Sequence, residues 1–163
     1  MKIYYTAVPT NSKEFLSRIL RDFYGISTPK ITKNSYGKPY FIDFPLFFSI
    51  SHSESITAIA LSKREIGLDI QKKREKTPKR VTQRLSVAEK QEDFYRIWTT
   101  KEAYIKYCGK SIAKLYSRLE YKNGALYEQN TPVAAVFFYA EIEGCTLCVC
   151  SAEQAAAELI NID

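Results

Sequence analysis

The 163-residue chain has little of what builds a soft-metal or redox site, with one histidine and four cysteines. Cys145, Cys148 and Cys150 fall within one apolar run, and no second cluster completes a four-ligand zinc set. We therefore expect free cysteines packed in a strand. P-loop, GxGxxG and HExxH sequences are also missing, so the chain carries none of the chemistry that these motifs indicate.

The chain also has no apolar run near the roughly 18 residues that a membrane-spanning helix needs. Residues 1–5 lack the long apolar stretch and the small-residue cleavage site of a signal peptide. We therefore expect a cytoplasmic protein that does not bind membranes. The hydrophobic content of 45% and the charged content of 26% are ordinary for a folded chain, and the length allows one core or two small lobes that share one.

Positive charge is in excess, with a formal net charge of +6, and it is concentrated between residues 72 and 84. An excess of this kind favours acidic partners, namely phosphates, acidic proteins, nucleic acid or anionic lipid. The 72–84 run has no interleaved aromatic residues, so an RNA-binding face is one interpretation, and a solvated linker or a docking surface for an acidic protein explains it equally well. Its basic residues are Lys72, Lys73, Arg74, Lys76, Lys79, Arg80 and Arg84.

The hydrophobic pattern predicts an α+β fold. In the first half, a strand at 2–8 precedes a helix that begins at Asn11 or Ser12 and ends at Gly25. Further strands at 47–51, 56–61 and 66–71 complete a small antiparallel sheet that ends near residue 72.

The second half repeats the combination of helix and sheet. Ser86–Glu89 and Thr99–Glu102 both have capping-box spacing, which predicts two successive helices, the second ending at Gly109. Asn123-Gly124 predicts a hairpin among the later strands, and the alanine-rich end after Ser151 predicts a short helix or tail. We therefore predict two similar lobes, 1–72 and 73–163, with a cleft at residues 66–106.

Polar residues at this junction have the spacing of an oxygen site. Asp69 and Gln71 are two apart on a strand and share a face, while Glu102 and Lys106 are four apart on a helix. Together the oxygens would suit Mg²⁺. Alternatives remain for each: Asp69 turned to solvent, a surface Gln71, and Glu102 capping the amide of Thr99 or pairing with Lys106.

His52 lies between two serines at a turn. A hydrolase triad is disfavoured because neighbours on a strand point to opposite faces, so neither Ser51 nor Ser53 easily hands a proton to His52. Such side chains, together with Lys38, can instead donate hydrogen bonds to phosphate oxygens. An ordinary polar turn is the alternative.

Four segments in this order resemble the 4′-phosphopantetheinyl transferases of the surfactin-synthetase-activating type. The resemblance runs from about Tyr36 to Gly109. Its segments are YGKP at 36–39, SISHS at 49–53, IGLDIQ at 66–71 and WTTKEAYIK at 98–106.

The resemblance implies a pseudo-dimeric enzyme that binds coenzyme A between its two lobes. Such enzymes transfer the phosphopantetheine arm to a serine of an acyl- or peptidyl-carrier protein and release adenosine 3′,5′-bisphosphate. Carrier proteins of this class are acidic, which would give the 72–84 run a docking role. The expected protein is a monomer that serves fatty-acid, polyketide or nonribosomal peptide synthesis, with no nucleic acid among its partners.

The resemblance also implies the site residues. Asp69 and Glu102 would hold Mg²⁺, as would Gln71, which stands where many members carry Glu. Lys106 and His52 would contact the pyrophosphate. Lys38 and Ser51 would contact the nucleotide's phosphates. Glu89 lies where the family often has a further acid, and Glu102 or Glu89 would take the proton of the attacking serine.

The match departs from the family pattern in one place. The segment before Tyr36 is short, and the basic residues that many members place there for the adenosine 3′-phosphate have no clear counterparts; Arg18, Arg21 or Lys33 could substitute. The alternative function is a basic RNA- or protein-binding module that keeps the fold without catalysis. Such a module would have no need of Asp69, Glu102 and Lys106 together.

Overall fold

The structure is a computed structural model that describes residues 1–76, 82–83, 85–154 and 156–163. Its helices are α1 (Ser12–Tyr24), α2 (Phe94–Cys108) and α3 (Ile112–Leu115), with single 3-10 turns at Glu89–Gln91 and Tyr116–Arg118. Its strands are β1 (Lys2–Thr6), β2 (Ile31–Lys33), β3 (Pro39–Phe41), β4 (Phe47–Ser53), β5 (Ile56–Ser62), β6 (Ile66–Lys72), β7 (Leu119–Lys122), β8 (Ala125–Glu128), β9 (Thr131–Pro132), β10 (Val136–Ile142), β11 (Cys145–Ser151) and β12 (Glu158–Asn161). The described chain therefore mixes helices with several small sheets.

The first sheet has the strand order β12-β1-β5-β4, and α1 packs on one of its faces. The Asn11 side chain accepts hydrogen bonds from the amides of Lys13 and Glu14, and Gly25 ends the helix with φ +69°. Since Asn at the N-cap and Gly after the last turn are strong local signals, the predicted bounds of this helix are confirmed.

The second sheet has the order β10-β11-β6, and α2 lies against β6 and β11. Gly67 allows this close approach, because a Cβ there would lie 2.0 Å from the carbonyl oxygen of Ala103 and 2.4 Å from the amide nitrogen of Tyr107. The expected cysteine packing is confirmed: all four cysteines are free, and the three in β11 are buried.

The prediction that a second helix begins at Thr99 is wrong. Helix α2 is continuous from Phe94, and Asp93 caps it by accepting from the amide of Arg96 at 2.8 Å. The Thr99 hydroxyl donates back to the carbonyl of Tyr95 at 2.8 Å, as threonine does inside a helix. Glu102 therefore lies in the third turn of α2. The amide of Thr99 is inside the helix, so Glu102 does not cap it.

The hydrogen bonds of the capping box at Ser86–Glu89 are confirmed, but the helix predicted to begin there is wrong: a single 3-10 turn at Glu89–Gln91 follows, and α2 begins at Phe94 with its own cap. The turn predicted at Asn123-Gly124 is confirmed. The Ser86 amide donates to Glu89 Oε2 at 3.0 Å and the Glu89 amide donates to Ser86 Oγ at 3.2 Å, which is the reciprocal geometry of a capping box. Asn123 and Gly124 both have positive φ, at 53° and 74°, and turn β7 into β8.

Serine side chains join the two large sheets, which are the sheet with the order β12-β1-β5-β4 and the sheet with the order β10-β11-β6. Strand β4 presents Ser49, Ser51 and Ser53 toward β6. Their hydroxyl oxygens accept from the amides of Leu68 at 2.9 Å, Ile70 at 3.3 Å and Lys72 at 2.9 Å, respectively. Residues of both sheets also share one apolar cluster, which includes Ile3, Ala58, Leu68 and Leu147.

The chain end departs from the prediction. The segment after Ser151 was expected to be a short helix or tail, but Glu158–Asn161 forms β12, which pairs in parallel with β1. Strand β6, placed before the predicted boundary at residue 72, pairs with β11 of the second half. The division at residue 72 stays a prediction.

No helix within the described ranges has the length and apolar character needed to cross a bilayer.

Candidate active site

Asp69 lies in the middle of β6 with only 6% of its surface exposed. Its neighbours Leu68 and Ile70 are fully buried in the core, so the alternation of the strand turns Asp69 toward the opposite side, where α2 passes. Glu102 and Lys106 lie one turn apart on α2 and reach the same place. The strand and the helix thus bring together three of the residues that the sequence indicated.

The Asp69 carboxylate is held through one oxygen. Lys106 Nζ lies 2.8 Å from Asp69 Oδ1, and the Ser51 hydroxyl donates to the same oxygen at 2.8 Å. Lys106 Nζ also donates to Ser51 Oγ at 3.1 Å. The second oxygen, Asp69 Oδ2, is buried and has no hydrogen-bond partner among the described residues. A buried acceptor without a partner is costly, so the site has capacity for a cation there.

Glu102 is also almost fully buried, with 6% exposed. Its pKa is raised from 4.5 to about 7, chiefly because burial disfavours the charged carboxylate and also because the charge of Asp69 lies nearby, while Lys106 acts in the opposite direction. Two carboxylates in one enclosed space therefore repel each other unless a cation lies between them.

These residues fit a hard divalent cation. The described ranges contain no group of three or more His, Cys, Asp or Glu side chains placed to hold a metal ion. Mg²⁺, however, is usually bound by one or two carboxylates and takes its other oxygens from water and phosphate. Asp69 Oδ2 and Glu102 would supply that pair. Gln71 is half-buried and donates from Nε2 to Ser53 Oγ at 3.4 Å, and its role as a ligand stays a prediction.

Lys38 is occupied by the protein itself. Its ammonium forms an ion pair with Glu65 and donates to the carbonyls of Tyr107 at 2.9 Å and Ile66 at 3.3 Å, and its side chain is 7% exposed. An ammonium has three hydrogens, so a phosphate contact would have to displace one of these acceptors. The predicted phosphate role of Lys38 stays untested.

His52 lies on the exposed side of β4, while Ser51 and Ser53 are buried. The expectation that neighbouring residues diverge is therefore met, and it separates His52 from the serine hydroxyls. Within the described part of the chain, no hydrogen bond or ion pair reaches the His52 ring, so its predicted contact with a pyrophosphate rests on the resemblance alone.

Glu89 is anchored away from solvent. It forms an ion pair with Lys101 at 2.5 Å, and both side chains are 2% exposed. Glu89 Oε1 also accepts from the amide of Tyr121 at 2.9 Å, and Oε2 accepts from that of Ser86. Sequence reasoning missed Lys101; the signal was a lysine in line with the apolar residues Trp98 and Ile105 of α2.

A cavity of about 550 Å³ opens beside Lys106. It is lined by the loop at 36–39, by β4 and by the segment after α2, including Lys110. A second cavity of about 730 Å³ runs past Trp98 and the Glu89–Lys101 pair. Ile112 and Ala113 line both, so the two cavities adjoin.

The basic run is described only in part. Lys72 Nζ donates to the carbonyl of Glu143 at 2.6 Å, and Lys73 pairs with Glu141 at 2.9 Å. Lys76 is exposed. The remaining basic residues of the run, Lys79, Arg80 and Arg84, lie outside the described residues.

Two of the residues that could bind a 3′-phosphate have partners within the protein. Arg18 donates to the carbonyl of Ile162, and Arg21 pairs with Asp22. Neither residue lines the cavity beside Lys106.

A buried acid pair therefore lies beside a lysine where β6 and α2 meet, and these groups have the chemistry to hold a divalent cation and a phosphate. The family model of the 4′-phosphopantetheinyl transferase superfamily matches residues 65–159 of the chain, which include this site. The chain belongs to that superfamily.

Individual proteins similar to this chain are also named 4′-phosphopantetheinyl transferases. The chain is similar to the 4′-phosphopantetheinyl transferase gsp of Aneurinibacillus migulanus, with 32% identity over 135 residues, covering 73% of this chain and 56% of the relative. It is 33% identical over 126 residues to the 4′-phosphopantetheinyl transferase HetI of Nostoc sp., covering 65% and 53%. A 4′-phosphopantetheinyl transferase of Bacillus subtilis is 36% identical over 90 residues, covering 48% and 40%. The chain spans about half the length of the curated relatives it matches.

Proposed function

We propose that this protein transfers the 4′-phosphopantetheine arm of coenzyme A to a serine of an apo carrier protein. The observation that carries the proposal is the convergence of Asp69, Glu102 and Lys106 in one enclosed site. Membership of the superfamily and the names of the relatives support it.

Coenzyme A would lie in the cavity beside Lys106, between two lobes related as a pseudo-dimer. The volume of this cavity, about 550 Å³, is within the range of small-molecule sites. Lys106 and Lys110 supply positive charge there for phosphates. The serine-mediated contact between β4 and β6 supports this arrangement, because it places Lys106 at the meeting of the two large sheets.

Asp69, through Oδ2, and Glu102 would hold Mg²⁺, with Gln71 beside them. Bound there, the ion would supply positive charge against the oxygens of the pyrophosphate. Lys106 would neutralise charge on the phosphorus under attack and on the departing group. The serine oxygen bonds to the phosphorus that carries the arm, the bond from that phosphorus to the bridging oxygen breaks, and adenosine 3′,5′-bisphosphate leaves.

The proton of the serine hydroxyl needs an acceptor. Glu102 is the better supported of the two predicted bases, because it lies beside Asp69 and Lys106, where the pyrophosphate would bind, and it could take the proton directly or through water. Glu89 already binds Lys101 and two backbone amides, so its use as a base would require breaking those contacts.

The partner would be an acidic carrier protein that docks on the basic 72–84 region of a cytoplasmic monomer. Among the described residues of that region, the exposed Lys76 supports the charge complementarity.

The test incubates the protein with coenzyme A, Mg²⁺ and several apo carrier proteins and follows the mass of each carrier. Addition of one phosphopantetheine arm is expected. Absence of the adduct on every carrier, with RNA or another protein bound instead, would favour the non-catalytic alternative.

The first prediction concerns the metal ligand. Asp69→Ala is expected to abolish transfer, because it removes Oδ2 and releases Lys106 from its ion pair. Circular dichroism and thermal unfolding check that the variant is folded. Asp22→Ala, which removes an exposed acid on α1, is the control. Undiminished transfer by folded Asp69→Ala would refute the metal assignment.

A further inference from the structure

Ser51 lies at the centre of the contact between β4 and β6. Its hydroxyl donates to Asp69 Oδ1 at 2.8 Å and accepts from Lys106 Nζ at 3.1 Å and from the amide of Ile70 at 3.3 Å. A hydroxyl has one hydrogen to donate and two lone pairs to accept with. All three are used.

The direction of each hydrogen bond is fixed by its partner. An ammonium and an amide N–H can only donate, so the Ser51 hydrogen points to the carboxylate of Asp69. No hydrogen remains for a phosphate oxygen. The phosphate contact that the resemblance implies for Ser51 would therefore require it to release Asp69.

The same contacts set the orientation of Asp69. Ser51 and Lys106 both bind Oδ1, which fixes the carboxylate by one oxygen and leaves the buried Oδ2 without a partner among the described residues. Ser51 is itself fixed by the amide of Ile70, the residue next to Asp69. The backbone of β6 therefore determines the position of the hydroxyl that holds the carboxylate.

We propose that Ser51 is a positioning residue that turns Asp69 Oδ2 toward the cation and holds Lys106 beside it. The inference rests on the proposed function. Partners that orient metal ligands in this way commonly change metal affinity or activity by about 10- to 100-fold when they are removed.

The neighbouring serines provide matched controls. Ser49 accepts from the amide of Leu68 at 2.9 Å and is buried like Ser51. It lines the cavity proposed for coenzyme A but makes no hydrogen bond with Asp69 or Lys106, so it is a control for metal binding in the absence of coenzyme A. Loss of its hydroxyl removes the same kind of bond between β4 and β6 and leaves the acid untouched. Ser49→Ala therefore reports the purely structural cost of losing one serine.

The first measurement is binding of Mn²⁺, a probe for Mg²⁺ sites, by electron paramagnetic resonance without coenzyme A and without carrier, so that only the contacts of the metal site are compared. Ser51→Ala is expected to weaken Mn²⁺ binding about 10- to 100-fold. Ser49→Ala is expected to leave it unchanged. Ser51→Thr, which keeps the hydroxyl, is expected to restore it. If Ser51→Ala does not fold, Ser51→Cys replaces it, because a thiol is a poor hydrogen-bonding group of similar size.

The second measurement compares coenzyme A with 3′-dephospho-coenzyme A as arm donors. If Ser51 positions Asp69, Ser51→Ala lowers transfer from both donors by the same factor. A loss confined to coenzyme A would show that Ser51 binds the 3′-phosphate and would overturn the proposal, as would Mn²⁺ binding equal to that of Ser49→Ala. Wild-type protein that neither binds Mn²⁺ nor transfers the arm would instead refute the proposed function.

Discussion

Glu102 shows how one side chain is defined by its surroundings. On an exposed helix, a glutamate four residues before a lysine contributes only a few tenths of a kcal/mol. Here Glu102 is 6% exposed and faces Asp69, and these surroundings raise its pKa to about 7. A pKa raised from 4.5 to about 7 corresponds to about 3 kcal/mol of cost for the charged carboxylate.

The second prediction follows from the sign of this shift. Because the folded protein binds the proton more tightly than the unfolded chain, Glu102 costs no stability below pH 4.5, and the cost grows until the pH passes about 7. Without metal, Glu102→Gln is therefore expected to stabilise the protein by up to about 3 kcal/mol at pH 8 and by little at pH 4.5.

Urea unfolding in EDTA across this pH range checks the effect of Glu102→Gln. Glu158→Gln, which changes an exposed glutamate, is the control. A gain in stability that does not vary with pH would contradict the burial argument.

The third prediction concerns the buried pair of Lys101 and Glu89, each 2% exposed. Lys101→Met leaves the Glu89 carboxylate buried without its cation, and we expect a loss of about 3–5 kcal/mol. The free energy of unfolding in urea measures it. Lys110→Met, which alters an exposed lysine, is the control, and equal losses for the two variants would refute the role of the pair.

At the scale of elements, the contact of α2 with β6 determines the site. The helix carries Glu102 and Lys106, the strand carries Asp69, and Gly67 sets the distance between them. Since a Cβ at residue 67 would overlap the backbone of α2, the separation of helix and strand depends on one missing methyl group.

The fourth prediction is that Gly67→Ala moves α2 away from β6. We expect a loss of about 1–3 kcal/mol or more from overpacking, together with a large loss of transfer, because Glu102 and Lys106 move relative to Asp69. Unfolding and transfer assays measure both effects. Gly124→Ala is the control: its φ of +74° also strains alanine, but nothing lies within 4 Å. Transfer is expected to fall only in Gly67→Ala.

At the scale of the whole molecule, the chain end closes the first sheet. Strand β12 pairs with β1, and Ile160 and Ile162 pack against the cluster around Tyr4. The two large sheets share a further apolar cluster with residues from both, among them Ile3 and Leu147. Loss of the last strand is therefore expected to affect the second sheet as well.

The fifth prediction is that deletion of residues 158–163 lowers the stability of the whole chain by about 2 kcal/mol or more, because it removes two partly buried isoleucine side chains together with the pairing of β12 with β1. Thermal unfolding should remain a single transition at a lower temperature. Leu159→Ala, at a side chain that is 41% exposed, is the control. Unchanged unfolding of the deletion variant would show that β12 contributes little.

Features that depend on residues close together in the chain could be predicted from the sequence alone. The caps of α1, the capping box at Ser86–Glu89 and the turn at Asn123-Gly124 each involve partners no more than a few residues apart, so local patterns were sufficient. Motif order selected Asp69, Glu102 and Lys106, which the structure brings together.

Features that depend on partners distant in the sequence became visible only in the folded chain. Helix α2 continues through Thr99 because the residues around it are buried against a sheet built partly from later strands. The partners of β6 and β12, the pairing of Lys101 with Glu89, and the hydroxyl of Ser51 on Asp69 join residues that are 12 to more than 150 positions apart. No local pattern encodes such contacts, because they form only when the elements pack and bury their polar groups together.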